Sequence, residues 1–359
     1  MSARADALAE RIFGSLLGTM EILTVYLGDR LGLYAALAES SATSADLAAR
    51  AGIAERYARE WLEQQAVNGF VEVDDVAAAP GERRYSLPPE HAEVFLDRDA
   101  LTYLAPIARM SVSVAQQMPA LMSAYRDGGG VNWRDYGLDM SEGQELGNRP
   151  SFIASMGSWI PQGLPDVHER LSAGGRVADV GCGGGWSSIA IAKAYEGATV
   201  HGFDLDEPAV ERARQSADAH GLSDRVRFHA TDPAEMDHGE GYDLVCAFEC
   251  IHDMPQPVPV LRAMRSMAGG AGGVAGGVMV MDEKVGHEFT APGDEIERLM
   301  YGFSTLVCLP DGMSHPDSVG TGTVMRPSIF EGYAREAGFD RVEILPIEAD
   351  LWRFYRLHP

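Results

Sequence analysis

The stretch RVADVGCGGGWSSIAIAKAYEGATVHGFDLD, residues 176–206, contains the densest pattern in this 359-residue chain. An apolar run contains an acidic residue, Asp179, and is followed by glycines at alternate positions, Gly181, Gly183 and Gly185. A helical pattern and a second apolar run come next, so the glycines separate a predicted strand from a predicted helix. Glycines in that context let the backbone approach a bound ligand, and the stretch therefore predicts a nucleotide-type site.

The spacing of the glycines excludes two common phosphate-binding loops. The dinucleotide pattern G-x-G-x-x-G fails at Trp186 when counted from Gly181 and at Ser188 when counted from Gly183. No Gly-Lys-Ser/Thr sequence follows, which excludes a P-loop. The acid before the glycines, Asp179, would repel a pyrophosphate. The loop therefore suits a ligand with a cationic or hydrogen-bond-donating group.

Strand-like and helix-like runs alternate from residue 176 onward, which predicts an α/β fold with a mostly parallel sheet covered on both faces. Ligands in such folds bind at the carboxyl ends of the strands. Asp179, Asp204 and Asp232 each come at or near the end of one of the first three predicted strands. Three acids with no basic residue among them indicate a nucleoside pocket without phosphates, in which Asp204 accepts hydrogen bonds from ribose hydroxyls.

These motifs resemble those of the class I S-adenosylmethionine-dependent methyltransferases over residues 176–356. The segments that carry the resemblance are VADVGCGGG, GFDLD, HATDPAEM, YDLVCAFECIHDM and LRAMRSMA…GGVMVMDE. The resemblance implies a Rossmann-like seven-stranded sheet, S-adenosylmethionine as cofactor and S-adenosylhomocysteine as product. The whole layout is similar to bacterial small-molecule methyltransferases of natural-product pathways that carry an N-terminal winged-helix dimerisation domain.

The resemblance also implies which residues contact the cofactor. Asp179 would lie near its amino-acid portion and Asp204 at the ribose. Asp232 would accept from the adenine amino group with Pro233 beside the ring, and Phe248–Glu249 would line the pocket near the sulfonium. The full implied set is Asp179, Gly181, Gly183, Gly185, Asp204, Leu205, Asp232, Pro233, Phe248 and Glu249.

The N-terminal part has the pattern of a helix-turn-helix followed by a hairpin. Residues 41–75 predict two helices joined by a tight turn, with Ser44 as the N-cap of the first and Gly52 as its C-terminal stop. Two short strand-like runs, FVEVDD and RRYSLPP, come next. Together they predict an α-helical winged-helix domain.

Charge argues against nucleic acid as the partner of that domain. The chain has 53 acidic and 29 basic residues, a net charge of −24, and its candidate recognition helix, residues 54–67, holds more acids than bases. Nucleic-acid affinity depends on Lys and Arg neutralising phosphates. We therefore expect no nucleic acid partner and a winged helix that serves homodimerisation, with a cofactor-sensing DNA-binding regulator as a rival hypothesis.

Composition and spacing place limits on the rest of the chain. We divide it into a winged-helix dimerisation domain at 1–100, a helical linker and pocket lid at 101–172 and a cofactor-binding domain at 173–359. No apolar run is long enough to span a membrane and the first residues do not resemble a signal peptide, so we expect a cytoplasmic protein without a membrane partner. The glycine-rich insert at 269–277 is predicted to be a flexible surface loop, and the cysteines to be buried free thiols.

The sequence also offers candidates for catalysis. His252 and Asp253 follow the fourth predicted strand, where an imidazole could take a proton from the methyl acceptor; alternatively His252 only holds the loop. Some similar keto-acid C-methyltransferases bind a metal through a histidine at this position and a later one, here His287 or His315. A second ligand is not clearly in place, so we expect no metal.

The acceptor site is predicted more loosely. Trp133 and Tyr136 could close over the ligands, and Met300 and Phe303 could form an apolar wall, although core packing explains such residues as well. We expect a small, largely apolar acceptor, with O-methylation favoured over C-methylation. A cofactor-binding enzyme of the same fold with non-methylating chemistry is the second hypothesis.

Overall fold

The computed structural model describes residues 2–232, 241–269 and 275–358. Two sequence predictions fall outside these ranges, namely Pro233 and most of the glycine-rich insert at 269–277. The chain divides into two compact units. The first contains Met1–Ala115 and Glu142–Pro150, and the second contains Gln116–Ser141 and Ser151–Pro359.

The first unit begins with the predicted helix-turn-helix and hairpin. Its elements up to the linker are α1 (Ala3–Arg30), α2 (Leu33–Glu39), α3 (Ser44–Ala51), α4 (Glu55–Val67), β1 (Glu72–Val73), β2 (Tyr85–Ser86) and α5 (Pro89–Leu96). Strands β1 and β2 pair antiparallel, with Glu72 opposite Ser86. Gly52 ends α3 in the left-handed conformation, as predicted. The predicted N-cap was wrong by one residue, because Thr43 caps the helix in a capping box with Asp46 and Ser44 is already helical.

An aromatic core holds this unit together. Tyr34 stacks on Phe95 with ring centroids 4.1 Å apart, and its hydroxyl donates to Oε1 of the buried Gln65 at 2.6 Å. Gly28 of α1 lies so close that a Cβ there would be 2.4 Å from the Tyr34 ring. Helix α1 is thus fixed on one side by close packing, and its other side is exposed.

Longer helices connect the hairpin to the sheet. They are α6 (Ala105–Asp127), a 3₁₀ turn (Trp133–Tyr136), α7 (Leu138–Gly163) and α8 (Pro165–Ser172). No helix among the described residues combines the length and the apolar character that crossing a lipid bilayer needs.

The described part of the second unit contains a seven-stranded sheet, which confirms the predicted Rossmann-like α/β fold. Its strands are β3 (Arg176–Val180), β4 (Thr199–Asp204), β5 (Val226–Ala230), β6 (Leu244–Phe248), β7 (Gly277–Glu283), β8 (Arg341–Ile344) and β9 (Trp352–His358). The order is β5-β4-β3-β6-β7-β9-β8, and β9 runs antiparallel to both of its neighbours. The order reverses between β3 and β6, and a ligand crevice forms at such a point.

Helices cover both faces of this sheet. They include α9 (Trp186–Ala194), α10 (Glu207–Ala219), α11 (Pro257–Met267), α12 (Glu295–Phe303), a π-helical turn (Ser304–Cys308), α13 (Leu309–Met313) and α14 (Pro327–Glu336). Successive strand residues such as Val177 and Ala178 belong to different apolar clusters, one on each face. Burial on both sides explains why the central strands β6 and β7 are largely apolar in the sequence. Cys182 and Cys246 are buried free thiols as predicted, whereas Cys250 and Cys308 are partly exposed.

Candidate active site

The glycine loop after β3 provides an open backbone position. Gly181, Gly183 and Gly185 all adopt left-handed φ angles, at 71°, 48° and 79°. A Cβ at Gly181 would lie 2.6 Å from Sγ of Cys250, and one at Gly185 would lie 2.5 Å from the ring of Phe228. A Cβ at Gly183 would have no neighbour within 4 Å. Close packing therefore requires the two outer glycines, while a ligand can reach the backbone at the middle one.

Asp204 joins the end of β4 to this loop. Its Oδ2 accepts a hydrogen bond from the Gly183 N–H and its Oδ1 one from the Asp206 N–H, both at 2.8 Å. Burial raises the pKa of Asp204, while these N–H donors favour its ionised form. The carboxylate is thus positioned beside the open glycine with lone pairs left for a ligand's hydroxyl groups.

The other predicted cofactor residues near this end differ in their setting. The side chain of Leu205 is 70% exposed, and its carbonyl oxygen accepts from the guanidinium of Arg134. Asp232 follows β5 and is partly buried. Both lie at the carboxyl end of the sheet, next to the turn that carries Asp204.

Asp179 is directed into the protein. It is 1% exposed, and its Oδ2 accepts from the hydroxyls of Ser187 and Ser188 at 2.5 and 2.6 Å. Burial raises the pKa of Asp179 to about 6, against the effect of these two hydroxyl donors. Asp179 therefore connects β3 to the first turn of α9 through these two hydrogen bonds. It supports the glycine loop that lies between the two elements.

The end of β6 lies against the glycine loop. Phe248 is buried, and Glu249 has a left-handed φ of 52°, which is uncommon for a residue with a side chain. The indole N–H of Trp352 on β9 donates to Oε1 of Glu249. Because the next residue, Cys250, packs on Gly181, this turn occupies the point where the strand order reverses.

His252 is clamped between two carboxylates. It is 3% exposed, its Nδ1 lies 2.7 Å from Oδ1 of Asp282, and its Nε2 lies 3.1 Å from Oδ1 of Asp253. Burial alone would lower the pKa of His252, but the charges of Asp253 and Asp282 raise it well above its usual value. The two carboxylates therefore favour the protonated form of the imidazole. The role of Asp282 was missed from the sequence, where it is only one of two acids at the end of a strand.

Glu283, the last residue of β7, was also missed. It is 9% exposed, and its Oε2 has no hydrogen-bond partner among the described residues. Burial raises the pKa of Glu283 well above its usual value, and the nearby charge of Glu249 adds to this effect. Glu283 lies opposite Trp352 in the β7–β9 register, and the indole of Trp352 is bonded to Glu249, so Trp352 links the two acids.

Two of the predicted acceptor residues contact α13 and the π-helical turn. The backbone N–H of Trp133 donates to Oδ1 of Asp311 at 2.7 Å, and the hydroxyl of the buried Tyr136 donates to the carbonyl of Leu306 at 2.6 Å. Met300 of α12 is buried, whereas Phe303 is partly exposed. Burial, with a smaller effect from Asp253, raises the pKa of Asp311 to about 7.

One group of side chains around His252 contains possible metal ligands. The ligand atoms of His252, Asp253 and Cys308 all lie within 4.8 Å of one another, while the later histidines, His287 and His315, are not part of this group. Both nitrogens of His252 already have carboxylate partners, so its position is explained without an ion. We assign no step to a metal.

Comparison with known proteins identifies the family. Residues 171–298 match the family described as "Methyltransferase domain", and residues 18–98 match the "Rv2258c-like winged HTH domain". The 27-O-demethylrifamycin SV methyltransferase of Amycolatopsis mediterranei (strain S699) is 30% identical over 200 residues, which are 51% of this chain and 72% of that protein. The chain belongs to the class I S-adenosylmethionine-dependent methyltransferases. The predicted winged helix and methyltransferase fold are both confirmed.

Solved structures of methyltransferases share this fold over the whole chain. The mitomycin 7-O-methyltransferase MmcR has a TM-score of 0.67 at 20% identity, covering 99% of both chains. Human N-acetylserotonin methyltransferase, solved with S-adenosylmethionine, has a TM-score of 0.64 at 17% identity, covering 100% of this chain and 99% of that one. The cofactor of this methyltransferase is S-adenosylmethionine, and the open Gly183 backbone beside the Asp204 carboxylate fits a nucleoside without phosphates.

Proposed function

We propose that this methyltransferase transfers a methyl group to a hydroxyl oxygen of a small, largely apolar acceptor in secondary metabolism. The observation that carries the proposal is the position of His252, fixed between Asp282 and Asp253 at the carboxyl ends of the strands. The relative named for 27-O-demethylrifamycin SV and the structural neighbour named for mitomycin are both O-methyltransferases by name, which supports oxygen as the acceptor atom.

The proposal assigns the cofactor to the predicted residues at the β3–β4 side of the crevice. Asp204 accepts from the ribose hydroxyls, and the backbone at Gly183 lies against the ligand. Asp232 and Pro233 hold the adenine, and the turn at Phe248–Glu249 borders the sulfonium. Asp179 acts through the loop that it supports, since its carboxylate is already bound by two serine hydroxyls. The remaining predicted residues of this set are Gly181, Gly185 and Leu205.

The reaction needs a destination for one proton. When bound, S-adenosylmethionine supplies an electrophilic methyl group whose bonding electrons return to sulfur. The acceptor oxygen forms a bond to that methyl and loses its hydrogen, which the His252–Asp253 pair takes. Asp282 holds the Nδ1 side of the imidazole, so that Nε2 and the partly exposed Asp253 form the working side. The pair can accept this proton once Nε2 of His252 has lost its own proton, with the Asp253 carboxylate 3.1 Å away to stabilise the charge that forms.

The acceptor is placed beside Trp133, Tyr136, Met300 and Phe303. The hydroxyl of Tyr136 is already bonded to a backbone carbonyl, so this residue offers the ligand its ring rather than a polar group. Apolar walls with few polar groups suit an aromatic or largely apolar molecule. The contacts of residues 131–136 with α13 and the π-helical turn support the assignment of this segment to the proposed lid.

Helix α1 supports the proposal of a homodimer. Its exposed side carries a continuous row of large apolar side chains, namely Leu8, Ile12, Phe13, Leu16, Leu17, Met20, Leu23 and Leu27. A patch of this size on a single chain marks an interaction surface. We assign it to a second copy of the same chain and retain the proposed division at residues 1–100, 101–172 and 173–359, with a cytoplasmic location.

A turnover assay tests the proposed reaction. Hydroxylated aromatic compounds and their O-blocked counterparts are incubated with S-adenosylmethionine, and S-adenosylhomocysteine and methylated product are measured by mass spectrometry. The expected result is equimolar formation of both from a free hydroxyl only. Methylation of the O-blocked counterparts at carbon, or product without S-adenosylhomocysteine, would contradict O-methylation; the methyltransferase relatives support methyl transfer over the non-methylating and DNA-sensing alternatives.

A further inference from the structure

Two acidic residues at adjacent strand ends have no role in the proposed proton transfer to His252 and Asp253. Glu283 ends β7 and Glu249 follows β6. Glu283 is 9% exposed, and no described residue forms a hydrogen bond with its Oε2. A buried carboxyl group without a partner is costly, and a site that keeps one commonly uses it for a ligand.

The pair lies beside the loop that holds the cofactor. Strands β3 and β6 are neighbours, with Asp179 opposite Cys246 in the register. Directly after Glu249, the Cys250 side chain packs so closely on Gly181 that a Cβ there would lie 2.6 Å from its sulfur. Glu249 therefore lies where the strand order reverses, which is where a ligand crevice forms. Glu283 ends the next strand, opposite Trp352 in the β7–β9 register, and Trp352 donates to Glu249.

The surrounding side chains leave a negative charge on this border. The base whose charge acts on Glu283 is His252, and its two nitrogens lie against Asp253 and Asp282. The indole of Trp352 is a neutral donor to Glu249. The Arg353 guanidinium, from the same strand, donates to the carbonyl of Val285. None of the Lys or Arg ion pairs found among the described residues involves Glu283. The border therefore favours a cationic ligand group.

We propose that Glu249 and Glu283 recognise the positive charge of the sulfonium and so make the enzyme bind S-adenosylmethionine more tightly than S-adenosylhomocysteine. Methyl transfer removes that charge, and the attraction to the two carboxyl groups is lost with it. The spent cofactor then leaves more readily than the fresh donor. This inference rests on the cofactor of the family and is independent of the proposed acceptor.

The same pair couples cofactor binding to a proton. Burial and the charge of Glu249 raise the pKa of Glu283 and so favour its protonated form in the free enzyme. A sulfonium beside the pair favours the ionised carboxylate, so binding of S-adenosylmethionine releases a proton. The charged groups that face Glu283 are Glu249, His252, Asp253 and Asp282, and none of them gains a cation when S-adenosylhomocysteine binds. That product therefore releases fewer protons.

Isothermal titration calorimetry tests the proposal without an acceptor. The ligands are S-adenosylmethionine, S-adenosylhomocysteine and sinefungin, an unreactive analogue with an ammonium group in place of the sulfonium. Titrations in two buffers of different ionisation enthalpy give the number of protons released. We expect both cationic ligands to bind about tenfold more tightly than S-adenosylhomocysteine, which corresponds to one modest charge interaction.

Single substitutions assign the effect to the pair. Glu283→Gln and Glu249→Gln should bring the affinity ratio close to one and abolish the extra proton release, while the affinity for S-adenosylhomocysteine is kept. Glu336→Gln removes one exposed carboxylate of α14 and serves as the matched control, with an unchanged ratio. Retained affinity for S-adenosylhomocysteine also reports that each variant is folded.

The proposal is overturned by either of two results. One is a wild-type protein that binds S-adenosylhomocysteine as tightly as both cationic ligands. The other is a ratio that persists in both glutamine variants. If the variants do not fold, the wild-type protein still tests the proposal. Tighter binding and greater proton release with S-adenosylmethionine than with S-adenosylhomocysteine would support it, and equal values would overturn it. A protein that binds the cofactor but methylates no hydroxyl would contradict the proposed O-methylation and leave this inference standing.

Discussion

Nδ1 of His252 lies 2.7 Å from Oδ1 of Asp282, a residue 30 positions further along the chain. The contact exists because β6 and β7 pair in parallel, with Leu244 opposite Gly277, so that their carboxyl ends meet. It gives the imidazole a fixed orientation and a raised pKa at the same time. Both effects can be measured separately.

The pH dependence of turnover should reflect this contact. Burial lowers the pKa of His252, but Asp253 and Asp282 raise it well above its usual value, so the base form is populated at higher pH than for an ordinary histidine. We expect kcat to increase with pH and to level off on the alkaline side. In Asp282→Asn one of the two raising charges is lost, and the ascending limb should move to lower pH while the plateau falls. If the ascending limb of kcat against pH stays at the same pH in Asp282→Asn, His252 is not the group that controls it.

His252→Ala should reduce kcat by roughly 100- to 10,000-fold, the usual contribution of a positioned acid–base group. Affinity for S-adenosylmethionine, measured by calorimetry, should be nearly unchanged. His287→Ala, at an exposed position, is the matched control and should leave kcat as in the wild type. Normal turnover in His252→Ala would show that the imidazole only holds its loop.

Asp204→Ala should weaken both S-adenosylmethionine and S-adenosylhomocysteine. The carboxylate is expected to bind two ribose hydroxyls, and losing such charged hydrogen bonds costs on the order of 2–4 kcal/mol. The loss of the bond to the Gly183 N–H adds to this effect. Calorimetry measures the affinity of each variant for both ligands. Asp224→Ala, which removes an exposed acid, is the matched control. Equal affinities in the two variants would reject Asp204 as the ribose ligand.

Asp179→Asn should change the pH dependence of stability. The folded-state pKa of Asp179 is raised from 3.8 to about 6, so the unfolded chain ionises this carboxyl first. Stability is therefore lost as the pH rises from about 4 to about 6, and the loss is complete above the folded-state pKa. The asparagine variant avoids that cost, which is on the order of 2–3 kcal/mol at pH 8. Denaturant unfolding should therefore show the variant to be more stable at pH 8, with a difference that shrinks as the pH falls to 5. A constant difference across this range would contradict the raised pKa.

The apolar row on α1 should hold two copies together. Replacing Ile12 and Leu16 by Asp places charges in the middle of the exposed row and should yield a monomer at micromolar concentration in sedimentation velocity. Val76→Asp changes another exposed apolar residue and should leave the wild-type oligomer intact. A wild-type protein that sediments as a monomer would contradict the homodimer.

The sequence was sufficient for the sheet up to β7 because strand-like runs alternate there with helical patterns. Strand β6 is an uninterrupted apolar run, and even β5, which contains Arg227 and His229, is bounded by turn residues. It did not reveal β9, where Arg353 and Arg356 interrupt the apolar pattern of Trp352–His358. Nor did it separate Thr43 from Ser44 as a cap, since both hydroxyls suit that position and only the backbone geometry distinguishes them.

The candidate site was predictable where function depends on local sequence. The glycines and Asp204 lie within one βαβ segment, so their spacing alone indicated a cofactor loop. The roles of Asp282 and Glu283 depend on which strand pairs with β6 and in what register. Such long-range pairing cannot be read from spacing along the chain, and for this reason the partners of His252 and Glu249 emerged only with the fold.

The antiparallel strand β9 lies between β7 and β8, so an interior strand of the sheet is made from the residues synthesised after all the others in it. Its first residue, Trp352, donates to Glu249 at the edge of the cofactor crevice. A ribosome-bound chain that has not yet exposed these residues has neither the completed sheet nor this contact. The nascent enzyme is therefore expected to remain without a finished cofactor site until translation has passed β9.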